Sequence, residues 1–153
     1  MEELIKELDE NMQYQSYEIC GSEMYIRVNS KRVESTCPHC GEVSTQIHSR
    51  TIRTIKDLPI QGKKVKILLE HKKYFCKNKE CRYKTFAERF AFFSDKATKT
   101  NRLQDEIIRV SLTQSSIVAS KYLRNSVADV GKSTICNLLK KGRNQCGNGG
   151  VLT

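Results

Sequence analysis

Tryptophan is absent, aromatic residues make up only 7% of the chain, and acid is outnumbered. No apolar run approaches the roughly 18 residues needed to cross a bilayer, which excludes a protein built on membrane-spanning helices. Met1 is followed by Glu2 and Glu3 rather than by basic residues and an apolar stretch, so a secretory leader is not expected. Lys and Arg total 27 against 17 Asp and Glu, a formal charge of +10. Positions 130–153 contain no Asp or Glu at all. What is plentiful is cysteine, with seven in 153 residues. Without a leader the chain is expected in the reducing cytoplasm, where cysteines serve as metal ligands or core residues more often than as disulfides. The length sets a prior of one to one and a half domains.

The charge is unevenly placed. Residues 1–30 carry Lys6 and Arg27 against seven acids, and residues 31–153 carry a net +15. A single-sign field of that size attracts a polyanion such as nucleic acid, less often an acidic membrane surface, or it only solubilises the chain.

Periodicity divides the chain into a strand-rich and a helical part, an α+β class, with no internal repeat. Leu4, Ile5 and Leu8 give a short amphipathic helix within residues 1–10. Segments 14–20 and 24–28 read as a hairpin around Gly21-Ser22. Residues 43–55 are rich in β-branched types and read as one or two strands, followed by a turn over Leu58-Pro59-Ile60-Gln61-Gly62. Lys63 to Phe75 alternates, with Val65, Ile67, Leu69 and Phe75 on one face. From Thr100 the period becomes 3.6: Leu103, Ile107 and Val110, widened by Ile108 and Leu112, with Thr100 or Asn101 as N-cap. A second helix starts at Ser115 or Ser116 and turns Ala119, Tyr122 and Leu123 inward. A third, capped by Gly131 or Ser133, turns in Ile135, Leu138 and Leu139. Residues 145–153 are Gly-rich and expected to be disordered. The expected organisation is an acidic helix and hairpin (1–30), a cysteine module (31–95), a helical unit (96–144) and a tail.

Four cysteines form two close pairs, Cys37/Cys40 and Cys76/Cys81, with 41–75 between them. Four thiolates can surround Zn²⁺ at about 2.3 Å, and a C-x2-C knuckle aims two sulfurs at one ion. Pro38 stiffens that turn and Gly41 can take the positive φ it needs. Four thiolates on Zn²⁺ leave a formal −2 that Lys77, Lys79 and Arg82 would offset. With every position filled by cysteine the zinc is structural, and its removal should unfold this module while sparing the helices. The competing reading makes Cys76 and Cys81 buried thiols. His39, His48 and His71 are substitute ligands of lower rank, and Cys20, Cys136 and Cys146 lack partners at metal spacing.

Three short helices with a turn before the last suggest a helix-turn-helix, the alternative being a plain three-helix bundle with a basic face. In the third helix Lys132, Thr134, Asn137, Lys140 and Lys141 lie away from the apolar side. Asn suits adenine in the major groove and Lys suits guanine or phosphate. Arg50, Arg53, Lys56, Lys63, Lys64, Lys66, Lys72 and Lys73 decorate the strands as candidate phosphate contacts, or as solvated residues that protect exposed edges.

The residues also resemble a family. Cys37-Pro38-His39-Cys40-Gly41, His48-Ser49-Arg50, Lys56-Asp57-Leu58-Pro59-Ile60-Gln61-Gly62-Lys63 and Tyr74-Phe75-Cys76-Lys77-Asn78-Lys79-Glu80-Cys81 occur in that order. Phe86-Ala87-Glu88-Arg89, Thr100-Asn101-Arg102-Leu103 and Ser133-Thr134-Ile135 follow. Together, from about residue 14 to 141, they resemble the N-terminal half of insertion-sequence transposases of the ISL-three type. The resemblance implies a zinc finger and a helix-turn-helix that bind the element's terminal inverted repeats in double-stranded DNA, beside the bacterial nucleoid. It also implies a C-terminal RNase-H-like domain with a DDE carboxylate triad using Mg²⁺. The 153 residues leave no room for that domain, and Asp57 (in a turn) and Asp105 and Glu106 (in a helix's first turn) are poor replacements for it. The expectation is therefore a non-enzymatic, truncated transposase fragment that associates with itself or with the full-length enzyme. A zinc-ribbon adaptor for a protein or a structured RNA is the alternative, with Leu4, Ile5 and Leu8 as its docking face.

Overall fold

The computed structural model describes residues 1–114 and 116–148, which form an α+β arrangement of one mixed sheet, a small two-stranded ribbon and four helices. Helix α1 (Glu2–Leu8) leads into the hairpin of β1 (Met12–Cys20) and β2 (Glu23–Ser30), which turns at Gly21 with φ 61°. The two-residue strands β3 (Ser35–Thr36) and β4 (Val43–Ser44) pair antiparallel and frame the first cysteine turn. The long strands β5 (Ile47–Ile60) and β6 (Lys63–Phe75) form a second hairpin, and β7 (Thr85–Ala87) follows. Helices α2 (Asn101–Thr113), α3 (Ser116–Ser126) and α4 (Lys132–Asn148) complete the chain.

The sheet order is β1-β2-β6-β5. One side of β6 pairs with β5; the other pairs in parallel with β2 over residues 64–70 and antiparallel with β7 over 73–75. Periodicity cannot reveal the parallel β2–β6 pairing, because alternation is the same whichever neighbour a strand takes. It puts the acidic first 30 residues in the same sheet as β6, the strand that runs into Cys76. The β5–β6 turn is narrower than the expected five residues: Gln61 (φ 50°) and Gly62 (φ 73°) alone separate the paired Ile60 and Lys63, as a two-residue loop with positive φ at both positions does. Pro59 is accommodated because the register is irregular between Asp57 and Ile60 on this outer strand.

One face of the sheet is covered. Met24, Ile26, Val28, Ile55, Val65, Ile67 and Leu69 pack with Ile5 of α1, Met12, and Phe90, Phe92 and Phe93 of the coil after β7. Arg32 and Arg53 each lie 4.9 Å over one of those rings, Phe90 and Phe93 respectively. Ile5 and Leu8 thus face inward against the sheet, and Leu4 alone of the three is exposed. Phe75 departs from the expected face: Tyr74 is buried and Phe75 is 37% exposed. The alternation breaks at Lys72–Lys73, where buried Glu88 takes a hydrogen bond from the Lys72 N–H (2.7 Å) and another from Ser30 Oγ (2.6 Å).

Helices α2, α3 and α4 enclose a second core of Leu103, Ile107, Val110, Ala119, Leu123, Val127, Ala128, Val130 and Ile135, with Leu138 and Leu139 at its margin. Thr100 is the N-cap of α2 and accepts the Leu103 N–H at 3.2 Å. The Gly131 carbonyl accepts the Ile135 N–H at 3.2 Å at the start of α4. Leu112 and Tyr122 were expected inside and are 73% and 49% exposed, since each lies just off the arc that faces the neighbouring helices. Ser115 lies outside the described residues. Helix α4 continues to Asn148, so 145–148 are helical where a disordered tail is expected; a helix already nucleated by a packed face propagates at low cost, here even past Gly142 and Gly147. Residues 149–153 lie outside the description, and no helix is long and apolar enough to cross a membrane.

The two cores meet at a polar seam. Asp57, expected in a turn, lies in β5 and is 2% exposed. Its carboxylate accepts Thr100 Oγ1 (2.8 Å) and Arg102 Nε (2.8 Å), and a second ion-pair contact from Arg102 Nη2. Leu58, the next residue, packs into the helical core.

Candidate metal centre and nucleic-acid interface

Two turns at the open end of the β5–β6 hairpin, one before β5 and one after β6, build the centre. In the first, Gly41 takes φ 81°, its N–H bonds the Cys37 carbonyl (2.9 Å), and the Cys37 N–H bonds the Glu42 carbonyl (2.8 Å). In the second, the Cys76 N–H bonds the Lys84 carbonyl (2.8 Å) and the Cys81 N–H bonds the Asn78 carbonyl (3.1 Å). Each of the ligands Cys40, Cys76 and Cys81 has the backbone N–H of the residue two positions on, Glu42, Asn78 and Tyr83, directed at its sulfur. Such contacts favour the thiolate.

The sulfurs of Cys37, Cys40, Cys76 and Cys81 all lie within 4.8 Å of one another, with Cys40 and Cys76 at 3.5 Å. A tetrahedral Zn²⁺ with bonds of about 2.3 Å needs sulfur separations of about 3.8 Å, so this donor set fits zinc. The Glu42 N–H holds the Cys40 thiol down at about 7. Desolvation pushes Cys76 up to about 12. Four thiolates this close repel one another, and a cation that binds them displaces their protons. Cys37 is buried and packs with Tyr74 and Phe86, a small core separate from the other two.

None of the histidines joins this group among the described residues. His39 stacks on Tyr83, His48 packs edge-on against Phe75, and His71 contacts Thr51 Oγ1 through Nε2 at 2.9 Å. Burial, then the nearby Arg53 charge, lowers the His71 pKa below its usual value, and its Nδ1 is buried without a hydrogen-bond partner among the described residues. Cys20 is exposed and Cys136 half-buried, both apart from the cluster. The side chains of Lys141 and Cys146 lie outside the described residues.

The candidate DNA contacts divide by what they already hold. Arg53 donates to the Asp95 and Ala97 carbonyls (both 2.8 Å), and Lys72 donates to the Ser30 and Arg32 carbonyls. Lys66 pairs with Glu23 (3.2 Å) and Lys64 with Asp129 (2.8 Å), while Lys56 reaches the Asp129 carbonyl (3.3 Å). Arg50, Lys63, Lys73, Lys132 and Lys140 have no side-chain hydrogen bond or ion pair among the described residues. Asn137 is exposed and Thr134 half-buried. The residues missed in the sequence are the anchors of the seam, Asp57, Thr100 and Arg102, and the buried Glu88; all four sit inside motifs, but nothing in their spacing says which meet.

Residues 34–81 match the zinc-finger of transposase IS204/IS1001/IS1096/IS1165. The matched segment spans both cysteine pairs, and the four cysteines, held close together, form a structural Zn²⁺ site. No curated protein and no solved structure matches the chain.

Proposed function

We propose that the chain is a zinc-stabilised DNA-binding module of an insertion-sequence transposase that recognises the terminal inverted repeats of its element in duplex form. One observation carries the reading: a zinc finger of transposase type is joined through buried Asp57 to a compact three-helix unit. In this reading α3 and α4 are a helix-turn-helix with α4 in the major groove. Ile135 is buried, Leu138 and Leu139 are half-buried, and Lys132, Asn137 and Lys140 are exposed, which is the division a recognition helix requires. Asn137 would read a base, with Thr134 beside it, while Arg50, Lys63, Lys73, Lys132 and Lys140 bind phosphates. Lys56 and Lys64 act one step back, by holding the turn before α4 through Asp129. The reading assigns these residues to binding rather than to strand cleavage.

The test is binding to terminal-repeat and scrambled duplexes across a salt series. Affinity should fall steeply with salt as phosphates are neutralised. Asn137→Ala should erase the preference for the repeat, and Lys140→Ala should weaken both duplexes alike. Equal affinity of the unmodified chain for the two duplexes would remove the sequence-specific part, and failure to bind either would overturn the reading. The adaptor reading gains nothing from α1, whose Ile5 and Leu8 are spent on the sheet core.

A further inference from the structure

The metal turns also place two aromatic rings that neither the zinc nor the apolar cores use. His39 lies between the ligands Cys37 and Cys40; Tyr83 lies two residues after Cys81, with its own N–H directed at that ligand's sulfur. Folding of the two turns around one centre brings the rings together with centroids 3.7 Å apart and planes inclined by 18°. Both residues are exposed, Tyr83 by 46%, and neither belongs to a hydrophobic cluster. Buried aromatics usually justify their place by packing; a stacked pair held in solvent by metal ligands leaves ring surface free for a planar partner.

The surrounding chemistry says which planar partner. Lys77, Lys79, Arg82 and Lys84 are all exposed and lie in the same cysteine turn as Tyr83. Apart from a long contact of Lys77 to Thr45 Oγ1 (3.4 Å), none of the four has a side-chain hydrogen bond or ion pair among the described residues. Exposed rings flanked by cations are how proteins hold unpaired nucleotides: the base stacks and the cations take the phosphates. Bases inside a duplex are stacked on one another and offer no face.

We propose that the His39–Tyr83 pair is a binding site for an unpaired nucleotide of DNA, with Arg82 and Lys84 on the adjoining phosphates, so that the zinc end recognises a DNA end or a frayed step beside the duplex. The site rests on the DNA-binding reading above but addresses a different feature of the DNA.

Anisotropy titration of the full chain with a blunt duplex, and with the same duplex carrying a short thymidine overhang, tests it. The overhang should be bound about tenfold more tightly, the effect of one stacked base. Tyr83→Ala should abolish that preference without changing blunt-duplex affinity, while Tyr83→Phe retains it. Metal analysis shows whether Tyr83→Ala still holds zinc; if it does not, His39→Ala and the double variant Arg82→Ala/Lys84→Ala supply the same readout. Equal affinity of the unmodified chain for the two duplexes overturns this site and leaves the duplex reading standing. A zinc-loaded variant that loses both affinities equally also overturns it. Binding of the overhang duplex alone supports the site and overturns the duplex reading, and binding of neither ends both.

Discussion

The helical unit closes its core with side chains from three successive helices, whereas the zinc end of the sheet has only Cys37, Tyr74 and Phe86 to bury. Between them lies the main body of the sheet, whose core draws on four strands, α1 and the Phe90–Phe93 coil. The difference shows where a metal is needed. Apolar area suffices for the helices and the sheet body; at the zinc end, two turns far apart in sequence have too little apolar surface to stay together.

The largest expected effect follows from that contrast. Cys37→Ser or chelation removes a cross-link of the order of 10 kcal/mol in apparent metal-binding energy. Hydrogen exchange should show lost protection at residues 35–46 and 74–87, with β2, the first half of β6 and the helices still protected. Loss of protection throughout would mean that the sheet body depends on zinc as well.

The converse change is Leu123→Ala, in a fully buried position of the helical core. It should cost about 3 kcal/mol, seen as a lower denaturation midpoint of the helical signal. Cobalt substituted for zinc should keep its thiolate absorption in this variant. The seam comes next: Asp57→Ala leaves Thr100 and Arg102 without their acceptor and should cost about 2 kcal/mol. If the two units were independent, one unfolding transition would move and the other would not; a shift of both is expected.

Smaller still is the effect of pH on the sheet. Burial lowers the His71 pKa, so the unfolded chain binds the proton first as pH falls. Stability should therefore decline as pH drops below about 6.5 toward the folded-state pKa, and be unaffected by this group above it. The slope should be shallower in His71→Gln than in the unmodified chain, measured by urea midpoints; identical slopes would assign the decline to other groups, the zinc thiolates included. Lys64→Ala should change stability by less than about 1 kcal/mol, because its partner Asp129 is half exposed.

The sequence made the local features legible. C-P-x-C-G and the second cysteine pair announced the zinc site because ligand chemistry restricts both residue type and spacing. Gly21 and Gly62 marked the hairpin turns, and the change of period at Thr100 marked the helices. Faces were read less well: Phe75, Leu112 and Tyr122 point outward where periodicity put them inward, because a strand can flip its face at an irregularity and a helix buries only the arc its neighbours cover. The basic residues were legible as charge but not as function; Arg53, Lys64, Lys66 and Lys72 are held by intramolecular partners that lie up to 65 positions away.

The scarcity of acid and the abundance of cysteine thus determined, without any structure, that this is a basic chain organised around a four-thiolate metal site. Tertiary structure decided the rest: the parallel β2–β6 pairing, the seating of Asp57 between the sheet and α2, and the stacking of His39 on Tyr83. Ligand spacing and periodicity act over a few residues and are written along the chain. Pairing partners are chosen by surfaces that exist only after the elements have formed.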